Sequence, residues 1–219
     1  AVNDKYVPAY AITETADQLA ARWIAEWENG IESSGIYPGF IKTAVDAGAL
    51  SVTDKKLVQA AARTHLKTGL TIACHTGEAQ AALAVLETVQ QEGLDPSALI
   101  IVHANGIADP NARIKIAKTG AWVELDGISK DSIAENVRLI KELMKEGLLN
   151  RVLISQDAGC YFVGEEKGGQ PQGKIRPFTA IADQLIPALK NAGLTDIQIN
   201  RLIVENPANA YIINVKTKK

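Results

Sequence analysis

The apolar runs of this chain are interrupted by polar side chains at one recurring place, their carboxyl ends. Lys42 closes Gly39-Phe-Ile-Lys42, His75 closes Thr71-Ile-Ala-Cys-His75, His103 closes Leu99-Ile-Ile-Val-His103, and Asp157 closes Val152-Leu-Ile-Ser-Gln-Asp157. These short runs predict strands near residues 39–44, 70–75, 99–103, 121–125 and 151–156. Between them the apolar spacing shifts to helical period, which predicts helices near 15–29, 54–68, 78–92, 110–119, 132–146, 178–192 and 195–204. Capping chemistry sharpens the helix ends. Thr15 with Gln18, Ser132 with Glu135 and Thr195 with Gln198 have capping-box spacing, and Asp109-Pro110 places an acid before a first-turn proline. Gly69, Gly93, Gly120 and Gly147 each follow a helical stretch, where a left-handed residue ends a helix. Leu19, Trp23 and Trp27 give the first long helix an apolar stripe that reads as a core face.

Strand and helix alternating in this way is the mark of repeated βα units on a parallel sheet. Polar residues at successive strand ends fit the mouth of a barrel, and no glycine-rich dinucleotide fingerprint follows the first strand. The fold class is therefore read as α/β of the TIM (β/α)8 barrel type. It is represented by an incomplete barrel of about five βα units lacking the N-terminal strands, and an open five-stranded sheet is the competing arrangement. Residues 1–219 are expected to form one domain, with an extended loop over 1–13 and a long Gly- and Gln-rich loop over 158–174 at the active face.

Composition narrows the classes. The 219 residues are 47% hydrophobic with a net charge of -2, which suits one globular domain and gives no basic footprint for nucleic acid. No apolar stretch approaches the roughly 20 residues a membrane span needs, and a cytoplasmic location is expected. Cys74 and Cys160 are isolated, so neither a disulfide framework nor a zinc ribbon follows, and Cys74 is expected to pack as a small hydrophobe.

The chemistry rests on the strand-end residues. A lysine inside a barrel mouth needs a counter-charge, a lowered pKa suited to Schiff-base chemistry, or carboxylation to a metal-bridging carbamate. Two imidazoles at the ends of adjacent strands have the character of a divalent-metal pair, zinc above all, while each alone reads more readily as a hydrogen-bonded core histidine. Asp157 can ligate a metal and take a proton from water, or cap the turn that follows it. Asp126 ends Trp122-Val-Glu-Leu-Asp126 and is placed behind the ligands as support. Glu124 is the carboxylate to which an unligated Lys42 is expected to turn. His65, mid-helix, is read as an ordinary boundary residue.

At these residues the chain resembles the phosphotriesterase family of the amidohydrolase superfamily. The resemblance is carried by Gly39-Phe-Ile-Lys42-Thr-Ala-Val, His75-Thr-Gly77, Val102-His103-Ala104, Trp122-Val-Glu-Leu-Asp126-Gly127, Ser155-Gln-Asp157-Ala-Gly159 and Asn206-Pro207-Ala208. It implies a carboxylated Lys42 bridging two divalent metals, His75 and His103 on the more exposed ion, and Asp157 on the other. It further implies hydrolysis of a small-molecule ester-type bond (lactone, carboxyl ester or phosphoester) by a metal-activated hydroxide. Cys160 and Tyr161 would then shape the substrate pocket, and Gln156 stands where many members carry a histidine. The family's His-x-His ligand pair has no counterpart in this chain. Weak activity of residues 1–219 alone is the corresponding expectation, with reliance on a missing N-terminal segment or on a homo-oligomer. Two other classes compete: a non-catalytic barrel fragment that oligomerises or needs a partner, and a Schiff-base aldolase-like barrel built on Lys42.

Overall fold

The computed structural model describes residues 7–159 and 178–213. Five short strands, β1 (Ile41–Ala44), β2 (Ile72–His75), β3 (Leu99–Val102), β4 (Trp122–Leu125) and β5 (Val152–Ile154), form one parallel sheet in the order β1-β2-β3-β4-β5. The helices between them are α2 (Ala16–Asn29), which precedes β1, then α3 (Val52–Thr68), α4 (Ala79–Gln91), α5 (Pro110–Lys118) and α6 (Ile133–Lys145). After β5 come a π-helical turn (Ile181–Leu185), α7 (Ile186–Asn191), α8 (Asp196–Asn200), a second π turn (Arg201–Glu205) and α9 (Asn206–Ala210). Each π turn ends two residues before a proline, Pro187 or Pro207. A proline has no N–H to close the regular i→i−4 bond, so the preceding carbonyls find longer-range donors.

Strand order and layering select between the two arrangements. Register places Lys42, Ala73, Ile100 and Trp122 side by side on one face, with His75, Val102, Glu124 and Leu153 continuing it. The opposite face presents Ile72, Cys74, Leu99, Ile101, Val123 and Val152, and these pack with Val58, Val85, Ile116, Leu139 and Leu189 of the helices in the main core. An open doubly wound sheet reverses its strand order and puts helices on both faces. Here the order never reverses, and the inner face carries a small separate cluster of Ala73, Ile100, Val102, Trp122, Leu153 and Ala210. That is the strand order and layering of a barrel wall.

Local chemistry accounts for the boundaries. The reciprocal capping boxes at Thr15 and Thr195 form, and Ser51 with Asp54 makes a third at the start of α3. Gly69 ends α3 in the left-handed region at φ 76°. Leu19 is fully buried and Trp23 and Trp27 pack partly buried against the core. The cap expected from Ser132 and Glu135 is displaced: Ser129 N–H donates to Ser132 Oγ at 3.0 Å, and Glu135 pairs instead with Arg138. The intervening 3-10 turn Lys130–Ser132 shifts the reciprocal pair upstream. Residues 1–13 are not wholly extended as expected. Ala9–Thr13 form a one-turn helix, α1, because Pro8 presets its entry and Ala11 is buried against Ala16, Leu19 and Ala60. Of the long loop expected over 158–174, all but residues 158 and 159 lies outside the described residues.

Candidate metal and catalytic site

His75, His103, Asp126 and Asp157 stand at or beyond the carboxyl ends of β2, β3, β4 and β5, whereas Lys42, expected at a strand end, lies inside β1 on the inner face, level with Ala73. His75 ends β2, and its carbonyl accepts Val45 N–H at 3.0 Å, fixing the ends of β1 and β2 together. His103 follows β3 at φ 60° and Asp157 follows β5 at φ 46°, both left-handed, a region that non-glycine residues enter only when their surroundings hold them there. The left-handed step turns the chain sharply off each strand and leaves the side chain at the rim. The His75 and His103 rings meet edge to face, centroids 4.4 Å apart at 79°.

One carboxylate holds His103 twice. Asp126, 4% exposed, accepts the backbone N–H of His103 on Oδ2 at 2.8 Å and the ring Nδ1–H on Oδ1 at 2.8 Å. The hydrogen-bond network assigns the proton to Nδ1, so Nε2 keeps its lone pair for a ligand. Asp126 is itself oriented by Asn105, whose Oδ1 accepts Asp126 N–H at 3.2 Å. The turn Ala104–Gly106 is also pressed against the β2 exit. A Cβ on Gly106 would lie 2.4 Å from Gly77 O, so only glycine permits the approach.

Electrostatics follow from this crowding of charge at a half-open rim. Although His75 is exposed at the rim, partial desolvation by the surrounding wall pushes its imidazole down to about 4, assisted by the neighbouring His103 and Lys42, so it is a neutral donor across the physiological range. Lys42 is accessible on the inner face, yet desolvation by the surrounding wall lowers its pKa against the pull of Cys74, Glu124 and Asp157. Burial raises Asp126 despite its hydrogen bonds from His103. Burial likewise raises Glu124, opposed by its hydrogen bond with Ser155.

Three of the residues singled out in the sequence, His103 and Asp157 as ligands and Asp126 as support, offer ligand-type atoms close enough together that they could hold one cation. A His103 ring nitrogen and single oxygens of Asp126 and Asp157 all lie within 4.8 Å of one another. Donor types and the tautomer enforced by Asp126 both fit a divalent ion, with His75 in ring contact and the charges of Lys42 and Asp157 acting on it. Lys42 departs from expectation in its partner, because Nζ donates to Thr43 O at 3.1 Å and Glu124 acts on it only through its charge. Gln156 Nε2 donates to Phe178 O at 2.6 Å and ties the β5 exit to the following helix. Cys160 and Tyr161 lie outside the described residues. Cys74 faces the helices, fully buried, and His65 Nδ1 bonds Leu70 O at 2.8 Å as a boundary residue. Asn105 was not legible from the sequence. A separate cavity of about 1100 Å³ lies at the other end of the sheet, lined by Trp122, Arg151, Asn206 and Ala210. That is the amino-terminal end of the strands, where a barrel concentrates stability and not chemistry.

No helix among the described residues is long and apolar enough to cross a membrane. Comparison with known proteins agrees with the fold. The chain is 27% identical over 194 residues to a phosphotriesterase homology protein of Mycobacterium tuberculosis, covering 86% of this chain and 60% of that protein. It is 30% identical over 234 residues to the phospho-furanose lactonase of Mycoplasmopsis synoviae, covering 97% of this chain and 64% of the relative. The crystal structure of a lactonase from Listeria monocytogenes superposes with a TM-score of 0.80 at 26% identity, covering 94% of this chain and 63% of that one. The chain thus spans about three fifths of the length of these relatives, and the fold is that of their α/β barrels. With the phosphotriesterase family pattern matching residues 2–211, nearly the whole of it, the chain belongs to the phosphotriesterase family.

Proposed function

We propose that this chain carries the metal-holding wall of a hydrolase that cleaves a small-molecule ester-type bond, a lactone before a phosphoester. The observation that carries the reading is the His75–His103 ring pair at 4.4 Å, with Asp126 at Nδ1 of His103. The hydrolase class is supported by family membership, and the lactone preference by the two lactonases among the similar proteins. Lys42, His75, His103 and Asp157 are assigned as the residues holding one or two divalent ions, zinc first among them. When bound, such an ion supplies Lewis acidity toward the oxygen under attack and toward water.

The chain's own residues divide the remaining tasks. His75, neutral down to about pH 4, offers a lone pair without proton competition. His103 offers Nε2, with Asp126 holding its other nitrogen. Asp157, at the exposed rim, accepts the proton released as water attacks, on a carboxylate oxygen. The lowered pKa of Lys42 raises its fraction of free amine, which adds carbon dioxide with loss of a proton to give a carbamate. The paired imidazoles favour this assignment over a Schiff-base lysine, which has no use for them.

The test is equilibrium binding of Zn²⁺ or Co²⁺ to the chain and to His75→Ala, His103→Ala and Asp157→Ala, followed by lactone and phosphotriester hydrolysis. Stoichiometric binding lost in the histidine variants supports the site; binding unchanged in both rejects it. Weak turnover by residues 1–219 is expected, since they contain no His-x-His pair and one preorganised electrostatic element is worth about a hundredfold to a thousandfold. A second reading, a wall that associates with another chain, is favoured by the exposure of Ile36, Tyr37 and Phe40 beside the β1 edge at 67%, 59% and 45%. Light scattering separates the two, with a monodisperse monomer rejecting association.

A further inference from the structure

Arg113, on α5, is a fully buried guanidinium at 1% exposure inside an otherwise apolar core. Its partners are specific. Nη1 donates to Ile107 O at 2.5 Å and Ala104 O at 3.3 Å, and Nη2 to Glu142 Oε1 of α6 at 3.0 Å. Nε has no partner among the described residues. A buried guanidinium with an unmet donor, paired to a carboxylate that is still partly exposed, is a poor source of stability, and a well-packed apolar side chain usually serves a core better. What the arginine holds explains its presence. Both carbonyls belong to the turn that begins immediately after His103, whose own backbone is left-handed at φ 60°. The same turn presents Asn105 to the backbone of Asp126 and rests Gly106 on Gly77. Helices α5 and α6, the turn and the His103–Asp126 pair are therefore joined through one side chain.

We infer that Arg113 is a positioning residue: by clamping the 104–107 turn to α6 it holds His103 in its left-handed conformation and aims the imidazole, Nδ1 on Asp126, toward His75. The metal part of this inference rests on the proposed site, whereas the clamp itself is a property of the metal-free protein. Arginine suits the task because its planar fork reaches two carbonyls and a carboxylate together. A lysine supplies the charge and can reach the carbonyls, but lacks the geometry to span to Glu142 as well.

Two readouts on the full chain test it. In the metal-free protein, the His103 Nδ1–H proton, shielded by its bond to Asp126, should give a slowly exchanging downfield NMR resonance. Arg113→Met should abolish that resonance, and Arg113→Lys should retain it in part. Where Co²⁺ binds, Arg113→Met should weaken its affinity by about tenfold to a hundredfold, the range seen when supporting partners of ligands are lost. Asn206→Ala serves as the comparison, because it removes two buried hydrogen bonds at the far end of the sheet and lowers stability without touching the turn. It should lower the Tm and leave both readouts at wild type. Should Arg113→Met fail to fold, Arg113→Lys and Asn105→Ala carry the same comparison. A resonance and a Co²⁺ affinity in the Arg113 variants no more altered than in Asn206→Ala would overturn the inference. Absence of Co²⁺ binding by the wild type would count against the proposed site alone, with the metal-free resonance still deciding the clamp.

Discussion

Asp126 receives two hydrogen bonds from one residue, the backbone N–H and the ring Nδ1–H of His103, each at 2.8 Å. The carboxylate thereby sets backbone conformation, ring orientation and tautomer at once. Asp126→Asn cannot accept both bonds, because its amide nitrogen would face a donor. The expected outcome is about a tenfold to hundredfold loss of divalent-metal affinity with the fold retained, measured by titration calorimetry with Zn²⁺. Equal affinity in the variant would detach Asp126 from the site.

Gly106 and Gly77 meet backbone to backbone, so Gly106→Ala drives a Cβ to 2.4 Å from Gly77 O. Neither atom belongs to a flexible side chain, and the two strand exits must move apart. A destabilisation of about 1–3 kcal/mol is expected, which lowers the Tm by about 2–4 °C per kcal/mol in a chain of this size. Thermal unfolding of the variant checks it, and an unchanged Tm would mean the exits yield freely.

His75 links stability to pH with a definite sign. Its folded pKa lies at about 4, below the value of about 6.5 that it takes when unfolded. Between those values the unfolded chain binds a proton that the folded chain does not, so stability is full above pH 6.5 and declines as pH falls toward 4. Chemical denaturation across pH 8 to 4 should show this decline shallower in His75→Gln than in wild type. Parallel curves would show that the imidazole is not held neutral by the fold.

Cys74 is fully buried on the helix side of β2, and desolvation pushes its thiol up to about 12. The reactive thiolate is correspondingly scarce near neutral pH. In a Cys160→Ser background, Cys74 should resist a disulfide reagent in native buffer and react promptly in denaturant. Rapid native labelling would place the thiol on the other face of the strand.

The alternation of strand and helix, and most strand ends, are legible in the chain's local patterns. Runs such as Leu99–Val102 are too short and too apolar for a surface helix, and capping pairs such as Thr15 with Gln18 act within one turn, so these boundaries are local properties of the chain. The rim positions of His75, His103 and Asp157 follow from them, since a residue at or just beyond the end of a parallel strand must emerge at its carboxyl end, whereas Lys42 lies inside β1, level with Ala73. Tertiary structure decided which of these side chains meet. Sheet register and the left-handed steps at His103 and Asp157 bring residues from different βα units together, and no local pattern encodes that. Lys42 took a backbone carbonyl in place of Glu124 because its ammonium had an acceptor within one residue. Ser132 lost its expected capping partner because a 3-10 turn offered a closer one. Arg113 left a faint trace, a charge among Ala112, Ile116 and Ala117 on the buried stripe of α5, but its meaning lay in the carbonyls of a turn that only the packed helices bring within reach.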